Sequence, residues 1–444
     1  MTRGREGAAG PLNPALGSPV LEVMNFLNEV SHRYPRAISF APGRPAESFF
    51  DLAEVSIHIE RYVAHRAREL GVPTERVRAS LGQYGRTNGI ICDLLAKHLE
   101  VDEQISVEKE AIMVTSGAQE GMSILLQGLF DRTQDVILCT DPNYVGMTGA
   151  AAILGVEVEA VRMGPEGLEL DDLVHRIDRV RRRGKRARAL YDIPDFHNPM
   201  GSRLPADRRM RLLKLARAEG FLVIEDNPYG RFAFEDDAVP TLKALDRHRS
   251  VIYLGTFSKT LAPGLRVGYL VADQTVTSAA RGGATVTLAE ELAKVKSLSS
   301  VNTSALMQAA VGGFLLEGEG SLAARVEPRR AHYRARRDRM LEALVRHFGP
   351  GSALEGRLRW SRPSGGFFIT VQTPFAWGER DVARCADSFG VVVCPMSFFS
   401  IEPGREMEIR LSFSYVSESE VDEGVSRLAA FVHTELKDAQ QGRS

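Results

Sequence analysis

No run of about 18 or more apolar residues occurs in the 444-residue chain, so nothing in it has the length to cross a bilayer as a helix. Cysteine is scarce. Cys92, Cys139, Cys385 and Cys394 are scattered with no Cys-x-x-Cys pair, which argues against a disulfide framework or a structural zinc site. Each reads as a small buried apolar residue in a reducing, cytoplasmic protein. The ten histidines show no His-x-x-x-His or similar ligand spacing, so no metal is expected. A formal net charge of −1 leaves no global field to attract nucleic acid or an anionic membrane. Met1 to Gly17 is rich in Gly, Ala and Pro without the apolar centre of a secretion signal. It is expected to be a loose or partner-draped arm, and the polar tail Asp438–Ser444 is expected to fray. Internal repeats and low-complexity blocks are missing as well.

What is present is alternation. The length suits two packed domains, divided as residues 1–50 (arm and start of the small domain), 51–325 (large domain) and 326–444 (small α+β domain). Pro19 to Tyr34 has helical apolar spacing, and Ala37 to Gly43 resembles a short strand entering a turn. Strands are expected at Ala111–Thr115, Asp135–Thr140, Glu157–Val161, Ala189–Ile193, Phe221–Glu225, Val251–Leu254 and Val267–Val271. Helices such as Glu120–Phe130, Leu170–Arg183 and Ala206–Glu219 separate many of them. The expectation is an α/β fold with a mostly parallel seven-stranded sheet covered on both faces, whose ligands sit beyond the carboxyl ends of the strands. Glu327 to Phe348 reads as a long charged helix with Tyr333, Met340, Leu341, Leu344 and Val345 on one side, leading into the small domain. The basic run Arg179–Arg188 lies at a helix end before a strand, where cations complement the helix dipole, so it is read as a solvated terminus rather than a nucleic-acid stripe.

Chemistry-bearing residues gather at those strand ends. Thr115-Ser-Gly-Ala-Gln119 is a small-residue turn opening a helix, whose free N–H groups and positive dipole end can cup a phosphate. Asp141-Pro-Asn-Tyr144 ends the next strand and offers an aromatic face to a flat ring. His197-Asn198-Pro-Met-Gly201 supplies an amide. Glu225-Asp226-Asn-Pro-Tyr229 supplies a carboxylate at a buried strand end, which is costly unless a cation pairs with it. Gly255-Thr-Phe-Ser-Lys-Thr260 supplies an amine, and Arg266, seven residues on, a guanidinium fork for phosphate. Each motif alone has an ordinary structural explanation: a helix cap, a proline turn, a solvated lysine. A phosphate cup, a stacker, an amide, an acid, an amine and an arginine in this order describe a pocket for pyridoxal 5′-phosphate (PLP).

Together these motifs resemble the class I/II PLP-dependent aminotransferases of PLP fold type I (aspartate-aminotransferase-like), within the branch that includes aminoadipate and kynurenine aminotransferases. The resemblance spans roughly residues 35 to 430. It rests most on Gln83-Tyr84-Gly85, Asn198-Pro-x-Gly201, Glu225-Asp226-x-Pro-Tyr-Gly230, Ser258-Lys259 and Ile409-Arg410-Leu-Ser-Phe413, with Pro363 to Phe368 and Tyr333-x-x-x-Arg337-Asp338 in the small domain. It implies that Lys259 carries the cofactor and, once freed, is the base that takes the substrate Cα proton. Asp226 would pair with the pyridine nitrogen, Asn198 and Tyr229 would hold the phenolic oxygen, and Tyr144 would stack on the ring. The phosphate would fall to Gly117, the backbone of Ala118 and Gln119, Thr256, Ser258 and Arg266. Tyr84 would reach the phosphate of a partner subunit, implying a homodimer with shared active sites. Arg410 would clamp the substrate carboxylate beside Gly43, Arg44 and Asn198.

Three departures from the family pattern stand out: Ala118 replaces the usual Ser, His197 and Met200 flank Asn198-Pro, and Arg44 follows Gly43 in place of an apolar residue. His197 reads as a hydrogen-bond partner behind the cofactor or as an acid–base group; Arg44 as a substrate selector or a surface charge. The segments Val23–Glu29 and Ser39–Pro45 are similar to transaminases that make hydroxyphenylglycines for peptide antibiotics, which implies an aromatic glyoxylate acceptor and a donor such as tyrosine or glutamate. Phe40, Phe49 and Phe50 suit an aromatic side chain at the entrance or plain core packing. The same lysine and fold also serve PLP-dependent oxidases, hydroxylases and lyases, which are the alternative activities. A ligand-sensing transcription regulator of this branch would carry a winged helix in front; only about 35 residues precede the resemblance, too few for one.

Overall fold

The structure is a computed structural model that describes residues 12–235 and 239–441. Strands are numbered in chain order: β1 (Ile38–Ser39), β2 (Ile112–Thr115), β3 (Asp135–Asp141), β4 (Glu157–Gly164), β5 (Gly167–Leu168), β6 (Arg186–Asp192), β7 (Leu222–Asp226), β8 (Val251–Thr256) and β9 (Gly268–Val271). They continue as β10 (Thr275–Ser278), β11 (Ala284–Thr287), β12 (Arg359–Trp360), β13 (Phe368–Gln372), β14 (Val391–Val392), β15 (Cys394–Pro395) and β16 (Glu408–Ser412).

The seven segments expected as strands are β2, β3, β4, β6, β7, β8 and β9. They form one sheet in the order β2-β9-β8-β7-β6-β3-β4, extended by β5 to eight strands among the described residues. That eighth strand is two residues folded back on β4, too short to leave an apolar pattern. β4, β3, β6, β7 and β8 pair in parallel, and β9 runs antiparallel between β8 and β2. In the interior strand β3 the first six residues are buried, which is why the run Val-Ile-Leu-Cys is continuously apolar: both faces are covered. One apolar cluster fills each side of the sheet. Because β9 is reversed, its first residue, Gly268, lies in register with both Thr115 and Thr256. The motif-bearing ends of β2, β3, β6, β7 and β8 and the start of β9 therefore share one edge.

A second sheet, β12-β13-β16-β15, is wholly antiparallel, and β1 pairs with β14. The helices Glu379–Phe389 and Glu418–Gln440 pack by the β1–β14 pair, and Ala323–Phe348 packs along Glu418–Gln440. The long charged helix starts four residues earlier than expected and carries Pro328 within its first turns. Tyr333, Met340, Leu341 and Leu344 are buried as expected, but Val345 is exposed.

The expected frayed tail is corrected in part: the last helix runs through Asp438 to Gln440, capped at its start by Ser417 and Glu420, while residues 442–444 lie outside the described residues. Of the expected N-terminal arm, residues 1–11 also lie outside them. Pro14–Gly17 makes a 3₁₀ turn in which Asn13 Oδ1 accepts from the Ala15 N–H. The four cysteines are free, three of them buried. The basic run is matched by acids: Arg181 pairs with Asp178 and Glu219, Arg183 with Glu157 and Glu159, Lys185 with Glu157 and Arg186 with Asp135. It offers no unopposed cationic stripe. Among the described residues no helix is long and apolar enough to cross a membrane.

Candidate active site

The turn after β2 is built around a glycine. Gly117 has φ +80°, and a Cβ there would sit 2.6 Å from the Arg266 guanidinium. A side chain is excluded twice over, by conformation and by space. Gly117 lends no side-chain cap to the helix Ala118–Leu129, so the first N–H groups of that helix stay open toward an anion. Arg266, at the β8–β9 turn, donates through Nη2 to the Ser116 carbonyl at 3.1 Å. Thr256 Oγ1 donates to Ser258 Oγ at 2.9 Å and accepts from the Ser258 N–H. Open N–H groups, two hydroxyls and a guanidinium thus meet at one point.

The next layer would face the ring. Tyr144 follows β3; its hydroxyl donates to Gln119 Oε1 at 3.3 Å, and burial pushes it up to about 12. Asp226 ends β7 and is 3% exposed. Its Oδ2 accepts from the Tyr191 hydroxyl at 2.7 Å, whereas Oδ1 is buried without a partner. Burial pushes Asp226 up to about 7 against the pull of Tyr191 and Lys259. A buried carboxylate with one oxygen unmatched calls for a cation, and a protonated pyridine nitrogen is one. Lys259 Nζ donates to the Gly43 carbonyl at 2.9 Å. Burial brings its amine down to about 8, helped by the cations Arg266 and Arg410 and opposed by Asp226.

Arg410, on β16, is 1% exposed. Its Nη1 donates to Asn198 Oδ1 at 2.6 Å and its Nη2 to the Ala41 carbonyl. The rings of Phe368 and Phe399 lie 4.4 and 4.6 Å from its guanidinium carbon. Both hydrogen-bond partners are neutral, and Nε has none. Tyr229 is buried within electrostatic reach of Arg410, Tyr144 and Asp226, with its hydroxyl near Asn198. Gly43 meets the edge of Phe368, where a Cβ would come within 2.6 Å.

Lys259, Asp226, Tyr229, Gly117, Ala118, Gln119, Tyr144, Asn198, Thr256, Ser258, Arg266, Arg410 and Gly43 are thus assembled from distant parts of the chain. Arg44 is half-buried and near enough to Lys259 to lower its pKa. Tyr84 is separate, 84% exposed on the surface. His197 is fully buried with Nε2 3.1 Å from Thr140 Oγ1; burial, reinforced by Arg405, drives it down to about 3. Burial thus favours the neutral imidazole, and its tie to Thr140 of β3 suits a hydrogen-bond role.

Of the two readings of the entrance aromatics, Phe40 and Phe49 follow the packing one. Phe40 is buried against Gly424 of the last helix, and Phe49 packs edge-on against His332 and Tyr333. The aromatics beside Arg410 are Phe368 and Phe399, and Phe398 meets Phe26 edge-to-face at 5.4 Å. Tyr191 is a site residue that motif reading missed. It pairs with Ile224, two residues before Asp226, so the two side chains share a face. That shared parity was the available signal.

These residues fit PLP: an anion cup, a cation-seeking carboxylate and a buried amine lie in sequence along one edge. The family profile described as "Aminotransferase class I and II" matches residues 74–428. The chain belongs to this family. As a class I and II aminotransferase it is an enzyme, its cofactor is PLP, and it moves an amino group between an amino acid and a 2-keto acid. It is 41% identical over 426 residues to an (S)-3,5-dihydroxyphenylglycine transaminase of Amycolatopsis orientalis, covering 96% of this chain and 94% of that protein. An "Aromatic-amino-acid aminotransferase 1" of Thermococcus litoralis is 31% identical, over 95% of this chain and 94% of its own. Among solved structures, the Pyrococcus horikoshii kynurenine aminotransferase in complex with PMP superposes with a TM-score of 0.78 at 28% identity, covering 94% of this chain and 95% of that one.

Proposed function

We propose that this aminotransferase acts on aromatic substrates, interconverting an arylglycine and its arylglyoxylate with tyrosine or glutamate as the amino donor. The observation that carries a carboxylate substrate is Arg410: a buried guanidinium bonded only to neutral oxygens, with Nε unmatched. Such a cation is stabilised most by an anion entering the site. The names of the Amycolatopsis and Thermococcus relatives support the aromatic class, as do Phe399 and the Phe26–Phe398 pair.

Bound PLP supplies an electron sink for the substrate's Cα. Around it, Arg266, Thr256, Ser258 and the N–H groups after Gly117 would hold the phosphate, and Asp226 would hold a proton on the pyridine nitrogen. Tyr144 would cover the ring, while Asn198 and Tyr229 would hydrogen-bond the phenolic oxygen. Arg410 orients the carboxylate beside Gly43 and Arg44, and Lys259 Nζ moves the Cα proton. Its lowered pKa keeps a usable fraction of the amine neutral near pH 8.

The working unit is a cytoplasmic homodimer, with residues 51–325 carrying the cofactor edge and 1–50 and 326–444 the smaller domain. Exposed Tyr84, Leu52 and Leu298, at 84, 85 and 91% exposure, are the apolar groups a second copy would cover. Tyr84 then reaches the partner's phosphate.

The test is a donor–acceptor matrix on the PLP-loaded enzyme, pairing tyrosine with hydroxyphenylglyoxylate, 2-oxoglutarate and pyruvate, and glutamate with hydroxyphenylglyoxylate and pyruvate. The highest kcat/KM is expected with the aryl acceptor, and Lys259→Ala is expected to abolish turnover with every pair. Preference for an aliphatic acceptor by about tenfold or more overturns the substrate assignment.

A further inference from the structure

Lys296 lies on the helix Leu288–Ser299, outside the motifs above, and its side chain is 0% exposed. A buried ammonium needs a strong partner. Its Nζ donates to Glu120 Oε2 at 2.7 Å and to Ser300 Oγ at 3.1 Å. Glu120 stands in the first turn of the helix Ala118–Leu129, and the same Oε2 accepts from the Ser116 N–H at 2.6 Å. Oε1 accepts from the Ser300 hydroxyl. Burial works against the charged Glu120, but the bonds from Lys296, Ser300 and Ser116 outweigh it and hold the carboxyl below its ordinary range.

The Ser116 peptide is therefore gripped on both sides. Its N–H is taken by Glu120 and its carbonyl by Arg266. Thr115 Oγ1 donates to the Gly117 carbonyl at 2.9 Å, completing the hold on the turn. A carboxylate here has an electrostatic consequence. A negative side chain directly behind an anion cup opposes phosphate unless a cation neutralises it, and burial leaves that opposition poorly screened.

We propose that Lys296 is a positioning residue for the cofactor phosphate, acting through Glu120: the pair fixes the Ser116–Gly117 turn, and the ammonium cancels the field of the carboxylate behind the cup. This rests on the turn being the phosphate site. The two members consequently have opposite signs. Lys296→Met leaves a bare carboxylate behind the phosphate, whereas Glu120→Gln keeps an oxygen for Ser116 or Lys296 and leaves a net cation there.

The experiment strips the full-length enzyme of cofactor and titrates it with PLP, reading the lysine-bound absorbance, with inorganic phosphate as competitor and thermal melts in parallel. Lys296→Met is expected to weaken PLP and inorganic phosphate alike by about tenfold or more. Glu120→Gln is expected to bind both as tightly as the parent or tighter, and Glu120→Gln/Lys296→Met to recover most of the loss. Weakening of phosphate by Glu120→Gln, or a double variant no better than Lys296→Met, overturns the proposal, because a purely structural pair would suffer from either change. If Lys296→Met does not fold, the sign for Glu120→Gln decides. If PLP binds but inorganic phosphate does not compete in the parent enzyme, the cup assignment itself fails, a separate outcome from failure of the charge relation.

Discussion

Glu225 and Asp226 are consecutive residues of β7, both buried, and burial pushes both up to about 7. They face opposite sides of the sheet and have opposite fates. Glu225 is completed by the protein: Oε1 and Oε2 accept from the Leu242 and Lys243 N–H groups at 2.8 and 2.7 Å, with Arg209 near enough to favour its charge. Asp226 has Tyr191 on one oxygen and nothing on the other. The same cost is met internally on one face and left open on the other. An acid satisfied by backbone amides holds a loop, and an acid left short is where a cationic ligand gains most.

The largest break in this pairing comes from amide substitution on each side. Asp226→Asn is expected to lower kcat/KM by about 10³-fold or more, since the group proposed to meet the pyridine nitrogen loses its charge. The same change is expected to stabilise the cofactor-free enzyme at pH 8, by on the order of 2 kcal/mol. The sign follows from the direction of the shift. A carboxyl raised from 3.8 to about 7 contributes stability at low pH that is lost as pH rises through about 4 to 7, so the variant without the carboxyl avoids that loss. Denaturant melts of the two cofactor-free proteins measure it, and a less stable variant contradicts the unmatched-oxygen reading.

Glu225→Gln shares the release of a carboxyl raised to about 7, but its NH₂ group must face one of two N–H donors, so at pH 8 it is expected to be less stable than Asp226→Asn by about 1–3 kcal/mol while kcat/KM stays within about threefold. Lys259 sharpens the contrast through pH. The rate at which cofactor-free enzyme captures PLP is expected to rise with pH and level off above about 8, where the amine is neutral, rather than climbing toward 10.5. Stopped-flow absorbance reads this directly. The smallest effect is Tyr191→Phe, which removes the one donor on Asp226 and is expected to weaken PLP by about threefold to tenfold.

Most of this edge was legible beforehand because strand-end motifs are local. Each strand–turn–helix segment announces its own small, polar or charged residue, and the βαβ alternation says that all such ends converge. What escaped was pairing between segments. Tyr191 reads as one more residue in an apolar strand until its register beside β7 is known, and Glu120 and Lys296 are separated by 176 positions with no pattern linking them. Phe40 and Phe49 show the complementary case: the sequence left them between the entrance and the core, and packing against Gly424, His332 and Tyr333 decides for the core. β5 was invisible because two residues carry no periodicity.

The reversed strand β9 also sets a timetable. β2 emerges early in synthesis, yet its partner begins with Gly268, which pairs with Thr115 more than 150 residues later. At ribosomal speeds that is a wait on the order of ten seconds. Until then the turn at Gly117 has no Arg266. The other end of the pocket waits longer still: Ala41 and Asn198 meet Arg410 only when β16 arrives, and β1 needs β14. All the strands of the proposed cofactor cup are therefore synthesised well before the proposed substrate clamp is complete.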